Sequence, residues 1–249
     1  MRKLSRIFLV FICMTSLSLQ AQDKIKTVGF QIKPLFFSSF FGTGPQSLSD
    51  SSYSYTLKPS SGYAAGMVIR QGYTPTLSIE FGINYVVRNV SITASHASQT
   101  ASNSLRIIGY EIPFSQLIFI RLGEHTFMNA GAGICLNIFP SDVIKRDSTF
   151  AAYGGRKHSF VPSLLANIGV EYRTPKSGYF YFGASLNRPF GPIYNVAIDY
   201  IQNGIVQNST LGSLNGSYLS ADFKYFFPED PEKKKVRKAK RKKEEPVVK

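Results

Sequence analysis

The sequence has few of the residues from which metal sites and nucleophilic active sites are commonly built. Its 249 residues include three His, two Cys and no Trp. It contains no Cys/His metal spacing, phosphate-binding loop or dinucleotide fingerprint, so we expect no metal and no cofactor. Cys13 lies in the N-terminal apolar run, which leaves Cys135 alone in the mature chain. We therefore expect a fold that stands without disulfides.

Long hydrophobic runs are absent beyond the N-terminus. Residues 1–21 combine basic residues with an apolar core from Ile7 to Leu19 and a small residue at Ala21. This pattern predicts a secretory signal peptide cleaved after Ala21, because the run is short for a spanning helix, which needs about 20 apolar residues. The rest of the chain shows no apolar stripe of helical period, which excludes a helical membrane protein.

What the chain does contain is a series of alternating segments. In the clearest one Leu77, Ile79, Phe81, Ile83, Tyr85 and Val87 share one face, and Ser78, Glu80, Gly82, Asn84, Val86 and Arg88 share the other. A period of two residues is typical of a β-strand. Eight such segments occur: Lys26 to Phe37, Gly62 to Gly72, Thr76 to Asn89, Ser104 to Arg121, Thr126 to Phe139, Ser159 to Arg173, Gly178 to Asn187 and Gly216 to Phe227.

The connections between these segments alternate strictly in length. Four are long (Ser38 to Ser61, Val90 to Asn103, Pro140 to His158 and Arg188 to Asn215) and the three between them are short. All long connections therefore leave one end of the sheet, as in outer-membrane barrels with short periplasmic turns and long extracellular loops. We predict an all-β, eight-stranded antiparallel up-and-down transmembrane barrel over residues 22–227, in the outer membrane and monomeric. A secreted β-sandwich is the alternative.

The face opposite the apolar one carries charges that nearly cancel. The inward positions are Lys33, Arg70, Arg88, Arg173 and Lys224 against Glu80, Glu111, Glu171 and Asp222. An eight-stranded barrel is just wide enough to be filled by side chains, and unpaired buried charges cost several kcal/mol each. We therefore predict a plug of salt bridges. A narrow, porin-like path for a small solute is the alternative.

These features resemble the small outer-membrane β-barrel proteins of the outer-membrane protein A/X type, especially the Bacteroidota barrels with a PorT-like domain. The similar features are the signal peptide ending at Ala21-Gln22, the third strand with Glu80 and the aromatic-rich last strand, over about Lys26 to Phe227. The resemblance is one of architecture without a catalytic motif. It implies a structural barrel, an adhesin or a secretion-system accessory. Many outer-membrane barrels end on an aromatic residue, whereas this chain continues beyond Phe227.

Residues 228–249 combine prolines with a block of basic charge and predict a disordered periplasmic tail. Such a tail could contact anionic lipid head groups, peptidoglycan or a protein partner. The formal net charge of the chain is +14, but much of the excess lies in the signal peptide and this tail. We therefore expect no nucleic-acid partner.

The sequence offers one weak catalytic candidate. His96-Ala97-Ser98 has the H-x-S order of outer-membrane lipid A deacylases, with Glu111 downstream as an orienting carboxylate, although Gln99 stands where that family carries Asn. A lipid A-modifying hydrolase is therefore the leading alternative function. Asp142, Asp147 and Asp199 are scattered loop acids without metal-site spacing.

The long connections carry the binding hypotheses. Ile198 to Gln207 alternates around Asn203-Gly204, which predicts a projecting hairpin whose edge could pair with another chain. Lipopolysaccharide phosphates could contact five basic residues, namely Arg106, Lys145, Arg146, Arg156 and Lys157. We expect a non-enzymatic outer-membrane barrel with a structural or surface-interaction role, with outer-membrane lipid and lipopolysaccharide around it.

Overall fold

The structure is a computed structural model that describes residues 26–39, 42–50, 52–96, 99–147, 150–174, 176–202 and 204–228. The predicted signal peptide and nearly all of the predicted tail lie outside these ranges. Thirteen strands follow one another: β1 (Lys26–Phe36), β2 (Gln46–Asp50), β3 (Tyr53–Gly72), β4 (Leu77–His96), β5 (Gln99–Arg121), β6 (Thr126–Ile138), β7 (Val143–Arg146), β8 (Phe150–Arg156), β9 (Phe160–Thr174), β10 (Gly178–Pro189), β11 (Pro192–Gln202), β12 (Ile205–Asn215) and β13 (Tyr218–Phe226). None of the described residues forms a helix that could span a membrane.

Eight of these strands close into a ring. Their order is β1-β13-β10-β9-β6-β5-β4-β3, and β1 also pairs with β3. Phe30 of β1 lies between Tyr225 of β13 and Met67 of β3, and all neighbouring pairs are antiparallel. The prediction of an eight-stranded, up-and-down antiparallel barrel is confirmed. Five of the predicted segments match β1, β6, β9, β10 and β13 to within two residues at each end.

The outer wall of this ring is apolar. Phe30, Ile83, Phe114, Ile168 and Phe182 lie on different strands, and each is between 50% and 59% exposed. Exposed apolar patches on soluble monomers rarely exceed a few hundred Å², whereas this surface passes around the barrel. Ring closure also pairs every strand edge, as a sheet in hydrocarbon requires. The apolar face is therefore the lipid-facing one.

Three barrel strands are much longer than a membrane crossing requires. β3, β4 and β5 contain 20, 20 and 23 residues, whereas a spanning strand needs about 9–11. They continue beyond a row of outward aromatic residues that includes Tyr85 and Tyr110, whose ring centroids are 5.9 Å apart. The prediction that Val90 to Asn103 is a loop is therefore wrong, since β4 and β5 remain paired as far as His96 and Gln99.

The protruding strands are covered by a second sheet with the order β12-β11-β8-β7. We call the head the unit formed by this sheet, β2 and the outer parts of β3, β4 and β5 (residues 53–61, 89–96 and 99–107). Its core consists of buried apolar side chains from both sheets: Tyr55, Leu57, Val90, Ile92, Ala94, Leu105, Ile107, Phe139, Phe150, Ala152, Val161, Ile193, Tyr194, Val196, Ile198, Tyr200 and Leu214. The head lies at the end with the long connections, which is extracellular in outer-membrane barrels.

In β4 the polar and apolar side chains exchange faces at the base of the head. Below Arg88 the polar side chains point inward and the apolar ones outward. Above it Val90, Ile92 and Ala94 are buried in the head, while Asn89, Ser91 and Thr93 lie on the opposite face and are only partly covered. Lipid surrounds the barrel and water surrounds the head, so the exchange marks the outer boundary of the membrane.

The predicted hairpin around Asn203-Gly204 is present. β11 and β12 pair along their length, up to Gln202 opposite Ile205. Gly204 has a φ of 77°, the left-handed conformation that glycine adopts without a steric penalty. The prediction of a projecting hairpin is confirmed, and the structure adds that β8 pairs with the other side of β11.

Two turn glycines give a matched pair of substitutions. Gly178 and Gly204 both have positive φ, 83° and 77°. A Cβ at Gly204 would meet nothing within 4 Å, whereas one at Gly178 would collide with the backbone oxygen of Phe226. We expect Gly204→Ala to cost about 1–2 kcal/mol through its φ alone and Gly178→Ala to cost more. Urea unfolding midpoints of the protein in micelles measure both, and equal midpoints would contradict the expectation.

Candidate functional site

The nine charged residues predicted to face inward lie inside the barrel or at its mouth. Eight have a relative exposure of 8% or less: Lys33, Arg70, Glu80, Arg88, Glu111, Glu171, Asp222 and Lys224. The ninth, Arg173, lies at the end opposite the head, and its side chain is 29% exposed. Their opposite charges meet in three layers along the barrel axis.

The periplasmic layer is a chain of four ion pairs. The Arg70 guanidinium donates to Glu80 through Nη2 at 2.9 Å and also donates to Glu171. Lys224 donates to the other oxygen of Glu80, and Arg173 Nε donates to Glu171 at 2.6 Å. Each carboxylate thus joins two cations, so the removal of Glu80 leaves Lys224 without its carboxylate and Arg70 with only one.

Aromatic rings line this layer. The guanidinium carbon of Arg70 lies 4.0 Å from the ring centre of Phe226. That of Arg173 lies 4.1 Å from Phe127, 4.8 Å from Phe119 and 5.4 Å from Tyr179. Cations over aromatic faces are attracted by the ring quadrupole. Arg173 and its three rings therefore lie together at the periplasmic mouth.

The middle layer is centred on Asp222, which is fully buried. Lys33 Nζ lies 3.3 Å from its carboxylate. The Ser220 hydroxyl donates to the same group at 2.6 Å, and the Ser185 hydroxyl also donates to it. Hydrogen bonds of this kind satisfy a buried carboxylate that a single cation would leave partly unpaired.

The upper layer joins the barrel to the head. Glu111 accepts from Arg88 Nη2 at 2.7 Å, from the Tyr218 hydroxyl at 2.6 Å and from Asn187 Nδ2 at 3.2 Å. The Phe139 ring lies 5.6 Å from the Arg88 guanidinium carbon and 5.4 Å from the Tyr194 ring centre above it. The polar interior therefore ends directly against the apolar core of the head.

Tyr194 closes the base of the head from the other side. Its hydroxyl donates to the backbone oxygen of Ser141 at 2.6 Å. Burial is the main cause that raises the pKa of Tyr194 to about 12.

The inward amide of Asn129 is left without partners. Neither the oxygen nor the nitrogen of the Asn129 amide has a hydrogen-bond partner among the described residues. Buried groups of this kind are commonly satisfied by internal water. Asn129 is therefore the position at which the narrow-path alternative is best examined.

The predicted catalytic residues are not brought together. His96 lies at the tip of β4, stacked 4.1 Å from the Tyr53 ring, and Ser98 lies outside the described residues. Glu111 pairs in register with Asn84, and the stretch of β4 from Asn84 to His96 measures roughly 40 Å at about 3.3 Å per residue. Glu111 therefore cannot orient His96 in a triad.

The loop acids have structural partners. Asp142 accepts from the Arg156 backbone amide at 2.9 Å and from the Tyr153 hydroxyl at 3.1 Å, and the first of these bonds is the main cause that lowers the pKa of Asp142. Asp199 accepts from the Ser209 hydroxyl at 2.6 Å. Within the described part of the chain, no group of three metal-ligating side chains occurs.

The predicted phosphate contacts are spread over the head. Arg106 lies on the outward face of β5. It is two residues nearer the tip of the strand than Ile108 and four residues nearer than Tyr110. Lys145, Arg146 and Lys157 are exposed. Arg156 donates to the backbone oxygen of Phe139 at 3.2 Å and is partly used in holding its own loop.

The sequence interpretation missed the head as a unit. The available signal was the alternation itself, which continues beyond Arg88. There Val90, Ile92 and Ala94 put apolar side chains on the face that is polar lower in the strand. The pairing of β8 with β11 carried no comparable signal, because it joins segments far apart in the chain.

Comparisons with known proteins agree with the fold. No protein-family model matches the chain, and no curated protein matches it significantly. Among solved structures, the outer-membrane protein OprG from Pseudomonas aeruginosa is similar with a TM-score of 0.52 and 11% identity, over 82% of this chain and 96% of that one. The outer-membrane protease OmpT from Escherichia coli aligns with a TM-score of 0.34 and 10% identity, over 84% of this chain and 100% of that one.

The ring of eight antiparallel strands, its apolar outer wall and its similarity to OprG define the class. This chain has the fold of an outer-membrane β-barrel. At 11% identity the likeness to OprG extends to the fold alone.

Proposed function

We propose that this chain is a non-enzymatic, non-conducting outer-membrane barrel that holds the head at the cell surface as an interaction module. The observation that carries the proposal is the closure of the interior at successive levels. Arg173 lies among three aromatic rings at one end, and Phe139 covers Arg88 at the other. A barrel closed in this way acts as an anchor for what it displays.

The head supports the second part of the proposal. It has its own buried core, and its outer surface comes from polar positions such as Asn89 and Ser91 and from exposed strands of the second sheet. Rigid scaffolds that present strands and loops commonly carry recognition. The resemblance to PorT-like barrels suggests an adhesin or secretion-accessory role.

The surrounding lipid is part of the proposal. Arg106 lies just beyond the aromatic row at the outer membrane boundary, where cations can meet lipopolysaccharide phosphates. We propose lipopolysaccharide as the lipid neighbour of the outer wall, and a monomer as the unit that lies in the membrane.

The non-conducting part is tested in planar bilayers. We expect the purified protein to give no stepwise conductance, because its charged interior side chains are paired with one another across the barrel. Insertion is verified separately, by recovery of the compact, heat-modifiable form of the protein from the same lipid. Steps from the wild type that change in size on Asn129→Ala would replace the proposal with the narrow-path alternative.

The interaction part is tested on intact cells. A membrane-impermeant crosslinker is applied to cells that carry the wild type or a variant in which short turns replace residues 140–158 and 190–216. We expect a neighbouring surface protein to be crosslinked to the wild type and lost with the variant, while both barrels remain heat-modifiable in SDS gels. Identical crosslinking patterns would contradict a role for the head.

A further inference from the structure

The head has four strand edges that are paired on one side only. Among the described residues, β2 pairs only with β3, β7 only with β8, β12 only with β11, and β5 beyond Tyr110 only with β4. An unpaired strand edge presents a row of free backbone donors and acceptors, and proteins normally protect such edges with short length, charge, proline or a covering segment. The four edges differ in how far they have this protection.

Three of the edges are protected. The outer part of β5 carries Arg106, and β7 packs beside it. β7 has four residues, and two of them are Lys145 and Arg146. β2 has five residues and ends at Asp50. β12 has eleven residues, IVQNSTLGSLN, without a charge or a proline. By the rules that natural sheets follow, β12 is therefore the least protected edge of the head.

The outer face beside this edge is also apolar. Ala197 of β11 pairs in register with Leu211 of β12 and with Tyr153 of β8, and Tyr153 pairs with Ile144 of β7. Leu211, Tyr153 and Ile144 are 67%, 45% and 71% exposed. An added strand next to β12 would extend this row by one side chain, opposite Leu211.

We infer that the free edge of β12 binds an extended segment of another protein, which pairs with it as a fifth strand of the second sheet. The segment recognised is uncharged, free of proline next to the edge, and apolar where it lies opposite Leu211. Main-chain hydrogen bonds supply affinity in this mode of recognition, and alternate side chains supply specificity. The inference rests on the proposed role of the head and names the partner class.

A symmetric antiparallel pair of β12 edges from two copies in the same membrane is excluded by symmetry. The β11 strand rises away from the barrel, since Tyr194 lies 5.4 Å from Phe139 at its mouth and Tyr200 lies 5.7 Å from His96 at the far tip of β4. Its neighbour β12 therefore also runs along the membrane normal. Two antiparallel β12 edges are related by an axis perpendicular to their sheet, whereas two copies in one membrane are related by an axis along the normal.

The test uses the full barrel in lipid nanodiscs and a phage-displayed library of random peptides about as long as β12. Selected peptides are measured on Ser213→Lys and on Asn195→Lys. Both residues are exposed and pair with each other in register, but only Ser213 lies on the edge strand. We expect Ser213→Lys to weaken binding about tenfold or more and Asn195→Lys to leave it nearly unchanged.

A second measurement separates edge pairing from docking on the apolar face. N-methylation of alternate peptide residues removes backbone donors along one side of the peptide, so we expect one methylated series to lose binding and the other to retain it. Equal weakening by both lysine variants, indifference to N-methylation, or no enrichment over empty nanodiscs would overturn the inference. The proposed function is judged separately, by conductance and surface crosslinking.

Discussion

Glu80→Ala is expected to lower the stability of the barrel by about 3–5 kcal/mol, the usual cost of breaking a buried ion pair from one side. Glu80 accepts from both Arg70 and Lys224. When the Glu80 carboxylate is removed, Arg70 retains only Glu171. The Lys224 ammonium would remain buried without its nearest carboxylate. The temperature at which the compact form is lost in unheated SDS gels measures the effect, with urea unfolding in micelles for the free energy.

Two controls separate lost pairing from lost side-chain volume. Glu124→Ala removes the same side chain from a position where it is 83% exposed, and it should leave both readouts unchanged. The double variant Glu80→Leu with Lys224→Met replaces the pair with apolar groups, which is often close to neutral, and should recover most of the loss. If Glu80→Ala and Glu124→Ala lose the compact form at the same temperature, the interior network does not stabilise the barrel.

Ile198→Asp is expected to open the head without unfolding the barrel. Ile198 is fully buried in the core between the two sheets, and an unpaired charge there costs several kcal/mol. Because the barrel is held by its own ring of paired strands, we expect it to keep its compact form in SDS gels. External protease should then cut within residues 140–158 or 190–216, where the wild type is protected.

Its neighbour provides the matched control. Ala197 lies on the same strand and faces outward, so Ala197→Asp introduces the same charge into water and should preserve protease resistance. Ile198→Ala gives a graded version, with an expected cost of about 2–5 kcal/mol from lost burial. Loss of the compact barrel in Ile198→Asp would mean that head and barrel fold as one unit.

The barrel could be predicted from the sequence because its signals are local. Alternation in Leu77, Ile79 and Phe81 identifies a strand, and parity alone placed Glu80 on the inward face. Pairing could not be read in the same way. Arg70 meets Glu171 from a distant part of the chain, and Arg88 bonds to Glu111 rather than to Glu80 of its own strand, which is nearer in sequence.

The head was missed for a physical reason. Long connections were read as loops because the membrane was expected to set the strand length. In β3, β4 and β5 the strand continues into water, where burial against a second sheet replaces contact with lipid. Only the hairpin around Gly204 had a local turn signal strong enough to be recognised beforehand. The pairing of Tyr194 and Val196 with β8 depends on the tertiary fold.

The closure of the ring by β1 and β13 determines the order in which the molecule can assemble. These strands are the first and last of the described chain, so a nascent sheet has two open edges until synthesis has reached Phe226. In hydrocarbon each unpaired backbone group costs several kcal/mol, which makes a partly inserted barrel a poor resting state. Biogenesis therefore favours delivery of the complete chain, and the head forms when closure brings its segments together.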